Sequence, residues 1–161
     1  MTEFDLTLTR TFDATAGAVF AAWTESPRLM RWWGPTGFTC PFAQMDVCVG
    51  GTSFVSMRAP AEWGGIELFN TWTYSVVDPG RRLEFVLRFA DRERNALSPQ
   101  SLGIPQGVPA EVPHILTFVE LDEHRSTLTI TELGYTSTEA LETSKQGLQQ
   151  TLDKLAEALR L

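Results

Sequence analysis

The sequence predicts an α+β fold: a curved antiparallel sheet of about seven strands around one long C-terminal helix, with two short helices after the first strand. Three observations carry this. Apolar and polar side chains alternate in short segments from Phe38 onward for about a hundred residues, punctuated by Gly, Pro and Asp turns. The period turns helical after the first strand and again over the C-terminal segment. The turns between strands are too short for the crossovers that parallel pairing needs, so neighbours run antiparallel. A sandwich with an appended helix is the alternative, but it leaves the helix's leucine stripe without a partner.

Residues 3–12 form the first strand, with Phe4, Leu6 and Leu8 on one face and Asp5, Thr7 and Thr9 on the other. Ala16, Val19, Phe20 and Trp23 then follow helical spacing, with Asp13 or Thr15 as N-cap. A second short helix opens at "SPRLMRWW", with Ser26 as cap and Pro27 at the first helical position, and stops at Gly34-Pro35. Strands follow at "FTCPFAQMDV", "TSFVSMRA", "IELFNTWTYSVV", "RLEFVLRF", "HILTFVEL" and "STLTITEL". In the third of these, Ile66, Leu68, Trp72, Tyr74 and Val76 share parity; in the fourth, Leu83, Phe85, Leu87 and Phe89 do. Thr136-Ser137-Thr138-Glu139 reads as a capping box opening the last helix, whose stripe is Leu141, Leu148, Leu152, Leu155 and Leu159. Residues 1–161 are one domain.

The totals exclude several functions. Thirteen basic against twenty acidic residues give a net charge of −7, and no Lys/Arg run exceeds two, so nucleic acid is not an expected partner. The longest apolar run, Ala18 to Trp23, is far short of the ~20 residues of a bilayer crossing, and the N-terminus lacks a secretory pattern. A cytoplasmic protein without membrane insertion is expected. Cys40 and Cys48 match no common zinc spacing and read as two reduced thiols. No phosphate-binding glycine loop, nucleophile elbow or metal-ligand cluster is present, so neither a metal nor a cofactor is expected.

At this point the chain resembles a known family. Arg10-Thr11-Phe12, the Val19–Trp23 helix, "SPRLMRWWGP", Asp46 before Gly50-Gly51, "DPGRRLEF" and the closing "LDKL" carry the resemblance over nearly its whole length. Their order is similar to the bacterial relatives of the activator of the 90-kDa heat-shock protein's ATPase. These have the helix-grip fold shared by START lipid-transfer domains, the birch-pollen allergen and polyketide cyclases. The resemblance implies a cavity between the sheet and the last helix. Where that family often has Gly-Trp in the helix, this chain has Gly147-Leu148, which implies more room.

Candidate cavity walls are Trp32, Trp33, Phe38, Met57, Trp72, Phe85, Leu87, Leu116, Phe118 and Leu148, although for any one of them filling the core is the plainer reading. Gly147 in mid-helix costs ~1 kcal/mol against Ala, and close packing of the sheet is the expected compensation, room for a ligand the other. Trp32 and Trp33 point ~100° apart, so one ring is expected in the core and the other along the mouth. His114 shares parity with Leu116 and Phe118 and reads first as a hydrogen-bonded structural histidine, with a general acid/base as the other reading; His124 reads as solvated. Arg10, Gln44, Asp46 and Glu120 could turn inward, or Arg10 and Asp46 could pair. Residues 91–113, long and proline-rich, read as a lid, a contact surface or a disordered segment.

Three functions follow. The first is a binder of a hydrophobic small molecule needing no catalysis. The second is a cyclase/dehydrase-like enzyme using His114. The third is a stress-response or chaperone-accessory interaction protein, or a homodimer, with exposed Trp63 as a contact.

Overall fold

The computed structural model describes residues 3–160. The strands are β1 (Phe4–Phe12), β2 (Ala43–Gln44), β3 (Thr52–Arg58), β4 (Glu67–Asp78), β5 (Arg82–Ala90), β6 (Glu111–Glu120) and β7 (Ser126–Tyr135). They form one antiparallel sheet in the order β1-β7-β6-β5-β4-β3-β2. Helices α1 (Ala16–Thr24) and α2 (Ser26–Leu29) follow β1, and α3 (Thr138–Ala158) closes the chain. This is the helix-grip arrangement that the sequence predicts. None of the described helices is long and apolar enough to cross a membrane.

Each helix starts for a local reason. The Thr15 hydroxyl accepts from Ala18 N, and the Glu120 carboxylate of β6 accepts from Ala16 N, so both the cap and the sheet hold the α1 start. Helix α2 begins one residue earlier than expected. Ser26 lies inside it, and its hydroxyl donates to Ala43 O at 2.6 Å instead of capping. At α3 the cap is Ser137, accepting from Ala140 N at 3.2 Å. With Ser137 as N-cap, Glu139 falls one residue short of the N3 position, so the reciprocal half of a capping box cannot form.

Two strands depart from their sequence patterns. Residues 38–47 pair only at Thr39 and at Ala43–Gln44, because Pro41 has no N–H to donate and this edge is interrupted there. In β4 the register shifts between Tyr74 and Val76, which opposes Val77 to Leu83 and sends it, not Val76, against the core. Ile66 precedes the strand and is exposed.

The concave face is covered unequally. Helix α3 packs closest on β1 and β7, and α1 packs on β6 and β7. The α1–α2 side chains Val19, Phe20, Trp23, Leu29 and Trp32 are all buried in the main core with Leu83, Phe85 and Leu116. The other half of the hollow, toward the start of β6 and the end of β5, lies beneath the first half of α3. Residues 91–113 carry a bridge, a 3-10 turn and the start of β6. They turn back through an Ala90–Ala96 bridge, and Arg92 and Arg94 stack over Phe69 and Phe54 on the convex face. A 3-10 turn at Pro99–Leu102 then leads the chain across to the hollow. There Gly107, at φ 104°, docks so closely on Ser137 that a Cβ would lie 2.5 Å from its Cβ.

Candidate functional site

Beneath the first half of α3 the sheet and helix leave a cavity of about 410 Å³. Its wall is mostly apolar: Leu68 from β4, Leu87 and Phe89 from β5, Val112 from β6, Ile104 and Val108 from the 91–113 segment. Helix α3 contributes Gly147, Leu148 and Thr151. Outside its own helix backbone and chain neighbours, no atom lies within 4 Å of where a Gly147 Cβ would be. The expected compensation by close sheet packing is therefore absent; Gly147 borders open space.

One end of the wall is polar. His114 and Glu132 are opposite each other in the β6–β7 register, 5% and 8% exposed, with His114 Nε2 at 3.4 Å from Glu132 Oε2. The His114 Nδ1–H donates to Val112 O at 2.9 Å, since a carbonyl can only accept. Nε2 therefore faces the carboxylate, and one proton belongs between them. Tyr135 Oη donates to Glu132 Oε1 at 2.7 Å. Burial alone would lower the His114 pKa, but the Glu132 charge and hydrogen bond raise it above its ordinary value of 6.5. For Glu132 burial works upward, and His114 and Tyr135 outweigh it, holding the carboxyl below its ordinary 4.5. The imidazolium–carboxylate pair is the favoured form. Burial, with Glu132 beside it, pushes the Tyr135 phenol upward.

A bulge makes this cluster possible. The β1–β7 register shifts opposite Leu133-Gly134, and Gly134 holds φ 96°. Without it, Tyr135 would have opposite parity to Glu132 and point out of the hollow. Glu132 was legible, sharing parity with the buried Leu128 and Ile130; a glycine inside a strand pattern was the signal for Tyr135. On the far side, Asn70 of β4 also borders the cavity, 4% exposed, its Nδ2 donating to Phe69 O at 3.0 Å.

Of the residues expected on the wall, Trp33, Phe38, Met57, Leu87, His114, Gly147 and Leu148 are there. Trp32, Trp72, Phe85, Leu116 and Phe118 are not; they are packed in the core. The reason is the half of the hollow they occupy. Trp72 stacks on Phe85 at 4.8 Å, and Phe118 meets Phe20 edge-on at 5.4 Å. The two adjacent tryptophans diverge, but both are buried. Trp32 turns toward α1 and donates to Ala22 O at 3.2 Å, whereas Trp33 reaches the cavity with its indole N–H unpartnered. Edge-on contacts of 4.8 Å (Trp23–Trp32) and 4.9 Å (Trp33–Trp72) tie four tryptophans into one block.

None of Arg10, Gln44, Asp46 and Glu120 lines the cavity. Arg10 pairs with Asp153 of α3 at 2.7 Å, not with Asp46, because α3 covers the rim of β1 where Arg10 emerges. Gln44 accepts from Arg94 at 2.6 Å on the outside, and Glu120 caps α1. His124 is exposed in the β6–β7 turn. Among the described residues no group of His, Cys, Asp and Glu could hold a metal ion. Cys40 and Cys48 are both free, and burial pushes the Cys40 thiol up to about 11. Lys154 fastens the wall segment 34–38 to α3, donating to Gly34 O at 2.9 Å, Pro35 O at 3.4 Å and Phe38 O at 2.8 Å.

The model of the family described as Activator of Hsp90 ATPase homolog 1-like protein matches residues 13–160. None of the curated proteins matches. Similar solved structures include several bacterial proteins. A crystal structure of a protein from Chromobacterium violaceum has 25% identity and TM-score 0.78, covering 98% of this chain and 97% of that one. A solution structure from Arthrobacter aurescens has 22% identity and TM-score 0.78, covering 97% and 86%. The AHSA1 protein from Silicibacter pomeroyi has 21% identity and TM-score 0.76, covering 98% of each chain. The last two show likeness of fold alone.

Proposed function

The chain belongs to the Activator of Hsp90 ATPase homolog 1-like family, and from that premise we propose that it binds a hydrophobic small molecule between the sheet and α3, with no catalysis required. One observation carries the reading: an apolar cavity of about 410 Å³ onto which α3 turns a glycine instead of a side chain. A volume of that order, with few polar groups set in an apolar wall, is the form of small-molecule sites. Trp33, Phe38, Met57, Leu87, Leu148 and His114 are the proposed contacts. Both thiols are free, which suits a cytoplasmic protein. Mild native extraction followed by mass spectrometry tests the reading. A hydrophobic compound should accompany the wild type and be lost from a folded Gly147→Phe variant; the same result for both variants sinks it.

A second reading has its own observation. His114 stands on the wall with its Nε2 facing the Glu132 carboxylate, and the proton held between the two is the one an acid/base step would use. A cyclase/dehydrase-like activity then requires His114, and turnover surviving in His114→Gln excludes it. The interaction reading rests on the turn between β3 and β4, where Trp63 is 64% exposed and Ile66 60%. Sedimentation of wild type and Trp63→Ser at matched concentrations tests for a dimer through that turn.

A further inference from the structure

We infer that the cavity selects an elongated, uncharged hydrophobe with a hydroxyl or N–H donor at each end, one end seated at Asn70 and the other at Glu132. The inference rests on the cavity being a ligand site and adds the chemistry of what it takes.

The charge on the wall comes first. Among the described residues bordering the cavity there is no lysine or arginine. The one basic side chain, His114, already faces Glu132. A carboxylate or phosphate entering this space would meet a like charge with no counter-ion, the most costly kind of burial. A fatty acid or phospholipid head is thus the wrong chemistry, and a neutral polar end is the right one.

Both polar ends present acceptors. Asn70 is 96% buried by its 4% exposure, and its Nδ2 is committed to Phe69 O. Its Oδ1 has no hydrogen-bond partner among the described residues, which leaves an acceptor that a ligand donor can satisfy. At Glu132, Oε1 takes the Tyr135 proton and Oε2 faces His114. Each carboxylate oxygen has a further lone pair, so a ligand hydroxyl can also donate there.

The register sets the span. Asn70 is level with Phe89, whereas Glu132 is level with His114 and Phe85, four residues further along and three strands across. With ~3.3 Å per residue and ~4.8 Å between strands, the two sites are ~19 Å apart along the sheet, less across its hollow. Leu87 and Val112, paired with each other on the row between, are apolar. Spread over such a length, about 410 Å³ leaves a cross-section of ~22 Å², room for a single chain.

The test is calorimetric titration at neutral pH with three probes of one length: a twelve-carbon α,ω-diol, the matching mono-alcohol and the matching carboxylic acid. The diol should bind about tenfold more tightly than the mono-alcohol, the worth of one buried hydrogen bond. The acid should bind at least tenfold more weakly than the mono-alcohol. Asn70→Leu should abolish the diol's advantage while the mono-alcohol still binds. Glu132→Gln, which removes the like charge and keeps an acceptor, should raise the affinity for the acid. Acid binding as tight as the diol's, or diol and mono-alcohol of equal affinity, overturns the inference and leaves the cavity reading intact. Failure of all three to bind the wild type overturns both.

Discussion

Replacing Gly147 with alanine asks whether α3 borders a space or a surface. In a helix interior glycine is worse than alanine by ~1 kcal/mol, from backbone entropy. That gain is realised only if the added methyl meets nothing. Outside the backbone of its own helix and its chain neighbours, no atom lies within 4 Å of an ideal Cβ at Gly147, so there is neither a clash to subtract nor a packing contact to add. Gly147→Ala should therefore stabilise the protein by about 0.5–1 kcal/mol. For a chain of this length that raises Tm by roughly 1–4 °C, without a change in urea m-value. Paired thermal and urea melts of purified, delipidated protein measure both. A loss of 1 kcal/mol or more would mean that the sheet, or a chain segment, lies against that helix position. The space beneath Gly147 would then be closed, not open.

The buried pair makes stability depend on pH in a defined window. Glu132 is held below its ordinary pKa of 4.5, so its contribution is present above 4.5 and is lost as pH falls through the lowered value. His114 is held above its ordinary 6.5, so its contribution is full below 6.5 and is lost as pH rises through the raised value. The pair should therefore stabilise most between 4.5 and 6.5, and His114→Gln should flatten the alkaline limb of urea midpoints measured across pH; an unchanged limb contradicts the pairing. Lys154→Met removes an ammonium that bonds three carbonyls and should cost about 1–2 kcal/mol, discounted because water can reach the site. It should also speed amide exchange at residues 34–38; exchange like wild type would show that the clasp does not hold that wall.

Much of this was legible from side-chain pattern alone. Alternation along β1, β5 and β6 and the leucine stripe of α3 determine which faces go inward, and the turns determine who pairs with whom. The pattern does not say which inward residues touch protein and which touch space. Leu116 and Leu87 have the same parity character; only the seating of Trp23, Trp32 and Phe20 over one half of the sheet separates core from cavity wall. Parity also fails wherever a bulge intervenes. Val77 replaces Val76 in β4, and Tyr135 swings to join Glu132 after Gly134, so half of the polar cluster was hidden by a one-residue shift. Arg10 illustrates a third limit: its inward parity was visible, but its partner Asp153 lies 143 residues away on the helix laid across it.

A crystal structure grown in the presence of the twelve-carbon diol would show directly whether the hollow beneath α3 holds a ligand. Continuous density is expected beneath the first half of α3, passing between Gly147 and Leu87, with its ends at Asn70 and Glu132. A hollow closed by Trp33, Leu148 and Leu87, with the diol absent or bound on the outer surface, would contradict that expectation.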